Sequence, residues 1–191
     1  NMPKDNIERA IKRGTGEAKD GLVLEQITYE GYGAHGIAMM IECVTDNRNR
    51  TVAEVRHILS KHGGSLGENG SVAWQFTRVA YFLFPSEGHD EDEIFELAVD
   101  AGADDVVFED EVIEITGPVD SFKEIGDRLR LQSIQPTDAE LRQIPNQEIE
   151  LDPEQTVKVL KVIEEMEDLD DVQKVSSNLA ITDEALELLA A

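Results

Sequence analysis

The segment Thr45-Asp46-Asn47-Arg48-Asn49-Arg50-Thr51, followed by Arg56, His57 and Lys61, concentrates the residue types best suited to hold a polyanion. Between residues 47 and 62 there are four Lys and Arg against one Glu, a local charge of +3 in a chain of net charge −24. Guanidinium forks match phosphate oxygens and carboxamides match base edges, so Arg48, Asn49, Arg50, Arg56 and Lys61 form a candidate nucleic-acid contact set. The N-terminus of a helix nearby favours anions as well. A second reading stands beside it, in which Arg48 or Arg50 simply pairs with acidic side chains of another domain.

Other motifs lose their chemistry when placed in context. Gly31-Tyr32-Gly33-Ala34-His35-Gly36 has the G-x-G-x-x-G spacing of a dinucleotide site, which needs the loop to open onto a helix. The next residues, Ile37 to Val44, are a continuous apolar run with no helix start, so the loop reads as a hairpin tip. His57 and His62 are five apart and face different ways on a helix, and no zinc spacing occurs. Acidic pairs such as Glu109-Asp110 and Glu164-Glu165 have no base, nucleophile or pocket beside them in the sequence. The sequons at Asn49 and Asn69 lack a secretory signal that would make them meaningful. The glycine-rich stretch 63–70 reads either as a backbone anion nest or as a flexible connection. Neither a cofactor, a metal nor a small-molecule substrate is expected.

Charge is distributed unevenly. Residues 1–78 hold ten basic and ten acidic side chains, whereas residues 79–191 hold seven against thirty-one. Nucleic-acid contact therefore belongs to the first part, because the acidic remainder repels phosphate. The chain has no long apolar run and no signal-peptide core, and its single cysteine, Cys43, sits in the apolar stretch before Val44. These features fit a protein of a reducing cytoplasm in which Cys43 is a small buried hydrophobe.

The elements that must position these residues follow from periodicity. Pro3 to Gly14 reads as a helix with Ile7, Ala10 and Ile11 on one side, too sparsely apolar to stand without a packing partner N-terminal to it. Residues 15–21 read as a linker. Strands are expected at 24–30 and 37–44, then a helix whose capping box is Thr51-x-x-Glu54, ended by Gly63-Gly64. Val72, Trp74 and Phe76 alternate as a third strand, completing ββαβ. From Val79 the order becomes βαββαβ, with strands at 79–84, 105–109, 111–116 and 139–144 and helices at 90–101 and 119–131, the ferredoxin-like signature. A helix at 153–169 and a strand at 172–176 are too small to fold alone and are expected to return to the first sheet. The fold class is therefore α+β, a ββαβ…αβ domain with an inserted ferredoxin-like domain. The expected division is 1–20, 21–78 with 146–191, and 79–145.

Tyr29-Glu30-Gly31-Tyr32-Gly33, the run from Thr45 to Thr51, Lys61-His62-Gly63-Gly64-Ser65-Leu66-Gly67, Gly70-Ser71-Val72, Ala101-Gly102-Ala103-Asp104-Asp105-Val106, and Asp170 to Val175 with Asn178 together resemble the YebC/PmpR-like family. The resemblance covers essentially the whole chain. It implies a basic N-terminal helical domain of which this sequence holds only the last helix, followed by an α+β domain and a ferredoxin-like insertion. Lys4, Arg9, Lys12 and Arg13 on that helix then join the candidate contacts. The resemblance implies a non-enzymatic, DNA-binding transcriptional regulator. Its alternative is a ribosome-associated translation factor contacting ribosomal RNA, as the mitochondrial relatives activate translation, and a protein-binding module is a third possibility. Ala34-His35 departs from the family's usual Pro at that loop. Oligomeric state stays open.

Overall fold

Two strands, β1 (Glu25–Tyr32) and β2 (Ala38–Thr45), pair antiparallel along their whole length, Glu25 opposite Thr45 and Tyr32 opposite Ala38. Strand alternation sends Ile27 and Tyr29, with Ile37, Met39, Ile41 and Cys43 opposite, into one apolar layer. In the computed structural model, which describes residues 24–190, this layer is covered by α1 (Arg48–Lys61) and by α4 (Pro153–Glu167). From α1 come Val55, Ile58 and Leu59, and from α4 Val159, Val162 and Met166. The chain returns after α4 as β8 (Val172–Ser177), antiparallel to β2, while β3 (Ser65–Leu66) pairs with β1, giving the sheet order β3-β1-β2-β8. The buried Asn178 side chain then accepts from the Ala38 backbone N–H at 2.8 Å and pins the returning strand. A further helix, α5 (Asp183–Ala190), was not expected.

Residues 75–146 form a second compact unit, the first comprising residues 24–74 and 147–190. The second unit runs β4 (Phe76–Pro85), α2 (Glu91–Asp100), β5 (Asp105–Phe108), β6 (Val112–Pro118), α3 (Phe122–Leu131) and β7 (Asp138–Pro145). Its antiparallel sheet has the order β5-β6-β4-β7, the ferredoxin-like arrangement that βαββαβ predicted. Phe82, Phe84, Ile113, Ile115, Ile125 and Leu129 fill its core, and Phe82 stacks on Phe122 with centroids 4.9 Å apart. The expected helix at 119–131 begins with a single 3-10 turn, Val119–Ser121, before α3.

Two local expectations fail, for physical reasons. Ser71 to Phe76 is not a strand: Ala73–Gln75 is a 3-10 turn, Trp74 is 72% exposed, and only Phe76 enters a strand, β4. The backbone amides that a ladder would need are taken by the Glu30 carboxylate, which accepts from Gly70, Val72 and Ala73 at 2.7–2.8 Å. The two-residue β3 supplies the missing edge instead. Thr51 does not cap α1, which starts one turn earlier with Asn47 as its cap. The Thr51 side chain is fully buried and turned to other partners.

The expected helix from Pro3 to Gly14, with Lys4, Arg9, Lys12 and Arg13, and the linker at 15–21 lie outside the described residues.

Candidate nucleic-acid interface

The N-terminus of α1 is built by Asn47. Its side-chain oxygen accepts from the Arg50 backbone N–H at 3.1 Å, and its own N–H donates to the Thr45 hydroxyl at 2.8 Å. Such a cap satisfies donors that the first turn leaves without helical partners. The first turn carries no acidic residue, and Arg48 and Arg50 stand where the helix dipole favours anions. Cations there cost the helix stability, so each needs a compensating partner or serves another purpose.

Arg50 has its partner inside the fold. Its Nη2 lies 2.6 and 2.8 Å from the two carboxylate oxygens of Asp171 and 2.9 Å from Asp46, with Nε 3.3 Å from Asp171. Asp171 is only 3% exposed, and the hydroxyls of Thr51 and Thr45 also lie 2.8 and 3.0 Å from its Oδ2. Burial pushes the Asp171 pKa up, but the bonds from Arg50, Thr51 and Thr45 outweigh it and hold the carboxyl below its ordinary value. The Asp171 hydrogen bond in turn raises the Arg50 pKa. Arg50 thus ties the start of α1 to the segment entering β8, a link spanning 121 positions. It pairs within its own unit, not with the other.

The surroundings of Arg50 also discourage phosphate. A depression of about 390 Å³ is lined by Arg50, Glu54, Asp168, Leu169, Asp170 and Asp171, so acidic groups crowd the guanidinium. Lys61, at the other end of α1, is likewise engaged. It lies 2.7 Å from Glu165 of α4, whose second oxygen meets His62 at 2.7 Å, and Lys61, then His62, hold the Glu165 carboxyl below its usual range.

Arg48, Asn49 and Arg56 differ from these. The Arg48 side chain is 61% exposed and makes a 3.5 Å contact to the half-exposed Glu25, an arrangement worth little in water. Its backbone carbonyl accepts from the Tyr29 hydroxyl at 3.2 Å, fixing the main chain while the guanidinium stays outside. Asn49 and Arg56 are exposed, and seven residues apart they share a helix face about 10 Å in extent. Among the described residues neither forms an ion pair or a side-chain hydrogen bond. The five candidate contacts therefore separate into Arg48, Asn49 and Arg56, which lack a strong partner, Arg50, which is tied to the buried Asp171, and Lys61, which pairs with Glu165 at the surface.

Sequence reasoning missed Asp171, Thr45, Glu165 and Glu30. Asp170-Asp171 before an apolar strand marks a carboxylate near a sheet, but nothing local points it at a helix start far upstream. At the end of the glycine-rich stretch the Glu30 carboxylate accepts from the Gly70 amide, and from those of Val72 and Ala73 just beyond it, and these bonds lower its pKa against the opposing effect of burial. The Gly31-to-Gly36 loop joins two antiparallel strands and has no helix N-terminus after it; His35 and Gly36 at its tip adopt φ of 61° and 78°. Cys43 is buried, and burial first, then the charges of Asp171 and Glu42, push its thiol up to about 12. Among the described residues no group of three His, Cys, Asp or Glu is placed to hold a metal, and no helix is long and apolar enough to cross a membrane.

Residues 24–179 match the family model described as the second and third domain of TACO1/YebC. The chain is 44% identical over 187 residues to a probable transcriptional regulatory protein of Brachyspira hyodysenteriae, covering 98% of this chain and 75% of that one. It is 46% identical over 191 residues to a protein of the same description from Syntrophus aciditrophicus, covering 100% and 76%. Another from Geotalea uraniireducens is 48% identical over 187 residues, covering 98% and 75%. Among solved structures, the conserved hypothetical protein Aq1575 from Aquifex aeolicus superimposes with a TM-score of 0.78 at 40% identity, covering 96% of this chain and 75% of that one.

Proposed function

From the premise that the chain belongs to the TACO1/YebC family, we propose that it is a nucleic-acid-binding regulator acting on DNA in transcription, with the outward face of α1 as a contact surface. The observation that carries this reading is the start of α1, where Arg48 projects into solvent from a first turn without acidic residues. Arg48 and Arg56 contact phosphate in this reading, and Asn49 reads a base edge or a phosphate. Arg50 and Lys61 act indirectly, by fixing the helix that presents them. The description of its relatives as probable transcriptional regulatory proteins supports a transcriptional role. The activity proposed is binding, with no chemical step assigned to any residue, and its place is the bacterial cytoplasm.

In-cell crosslinking of the tagged chain tests both the target and the surface. Recovery of discrete chromosomal fragments, lost when Arg48→Ala and Arg56→Ala are combined, is the expected result. Crosslinks clustered on ribosomal RNA would replace the transcriptional reading with a translational one, and crosslinks unchanged in the double variant would remove α1 from the interface. In solution, losing two phosphate contacts should make the salt dependence of binding shallower by about two in the logarithmic slope.

A further inference from the structure

We propose that the groove between α2 and α3 in the second unit docks a lysine- and arginine-rich protein segment that also carries an apolar anchor. The groove has a volume of about 690 Å³. Its floor includes the buried Ile94 and Ile134, and Leu131 stands on its rim with 80% of its surface in water. With the buried Ile94 and Ile134 beneath it, Leu131 gives the groove an apolar surface on which an anchor side chain can pack.

Charge identifies the partner's chemistry. The second unit holds five basic and eighteen acidic residues, and α2 has five acids and no base. Glu93, Glu96 and Asp100 lie along the wall of the groove at spacings of three and four, one above the next on a single helix face. Acidic residues in the first turn are explained by the helix dipole, but those farther along are not. Glu96 repels Asp100 at i,i+4, and Asp100 ends the helix where the dipole disfavours an anion. Glu96 and Asp100 are therefore held against the stability of their own helix. Arg128, the cation lining the groove, is engaged by Glu124 at 2.9 Å on its own helix. Among the described residues Glu93, Glu96 and Asp100 have no ion-pair partner, and phosphate would be repelled. A basic segment relieves the repulsion along α2, while its apolar side chain removes Leu131 from water. The inference is independent of the role given to α1.

The test uses the full 191-residue chain and, as probe, a short amidated fluorescent peptide of leucine and lysine at helical spacing, titrated by anisotropy at physiological salt. Removing both charges with Glu96→Gln and Asp100→Asn should weaken binding about tenfold, and Leu131→Ala about threefold. The charge-matched control, Glu109→Gln with Asp110→Asn outside the groove, should change it by about twofold or less. The groove variants should unfold at the same or higher urea concentration than the parent, which separates binding from folding. Equal weakening by both charge pairs, or no effect of Leu131→Ala, would reduce the interaction to bulk charge and overturn the proposal. A dimer in sedimentation velocity that Leu131→Ala abolishes would give the groove to a second copy and overturn it as well.

Discussion

The starts of α1 and α2 use the same local device with opposite charge. Asn47 and Asp90 each accept from the backbone N–H three residues on, both at 3.1 Å. Behind Asp90 come Glu91, Asp92 and Glu93, which suit the helix dipole, whereas behind Asn47 come Arg48 and Arg50, which oppose it. The start of α2 is stable on local terms. That of α1 is completed from a distance, by a buried aspartate delivered at the entry to β8. The difference teaches that a cation at a helix start is affordable when tertiary structure supplies its counter-charge, and that a second cation left outside such a network is available for other work.

The largest break in this comparison should come from Asp171→Ala, which strips Arg50, Thr45 and Thr51 of their shared acceptor. Loss of about 3 kcal/mol is expected, because a buried ion pair is broken from one side while Arg50 remains partly in water. Urea unfolding at neutral pH measures it. Because the folded pKa of Asp171 is lowered, its contribution is fully present above the unfolded value of about 4 and is lost as pH falls through the folded one. Stability of the parent should drop across that acidic window, and Asp171→Asn should flatten the drop.

Removing the caps should have a smaller effect. Asn47→Ala and Asp90→Ala should each cost about 1 kcal/mol, with Asp90→Ala the more sensitive to added salt because it also removes a charge from the dipole's positive end. Equal salt dependence of the two in denaturant titrations would erase the distinction drawn between the helices. The smallest effect has the opposite sign. Arg48→Glu should stabilise α1 by roughly 0.3–1 kcal/mol by meeting the dipole correctly, while abolishing nucleic-acid crosslinking. Stability lost instead of gained would show that Arg48 is a structural residue, like Arg50.

Much of the fold was legible because it rests on periodicity. The order βαββαβ follows from alternating strands and two amphipathic helices, and β8 returns to β2 because an αβ pair of that size has too little surface to bury elsewhere. The failures fall where side chains capture backbone. Val72, Trp74 and Phe76 alternate as a strand should, but Glu30 takes the amides between them. Thr51 and Glu54 have capping-box spacing, yet the Thr51 hydroxyl is held by Asp171, leaving Asn47 to cap. The candidate interface was legible as a cluster of cations, but not as a surface.

The sequence by itself determined most of the helices and strands, that basic charge concentrates around α1, and that acidic charge dominates the second unit. Those properties depend on neighbours within a turn or a strand, where spacing is fixed by covalent geometry. Only the tertiary structure decided that Arg50 and Lys61 are already paired with distant carboxylates while Asn49 and Arg56 face water unpaired and Arg48 meets only a half-exposed Glu25, and that Leu131 stands at the rim of a groove. Those outcomes depend on carboxylates and cavities assembled from residues more than a hundred positions away for Arg50 and Lys61, and from two helices packed side by side for Leu131. Charge and spacing say what a side chain could bind, and burial decides whether the fold has already bound it.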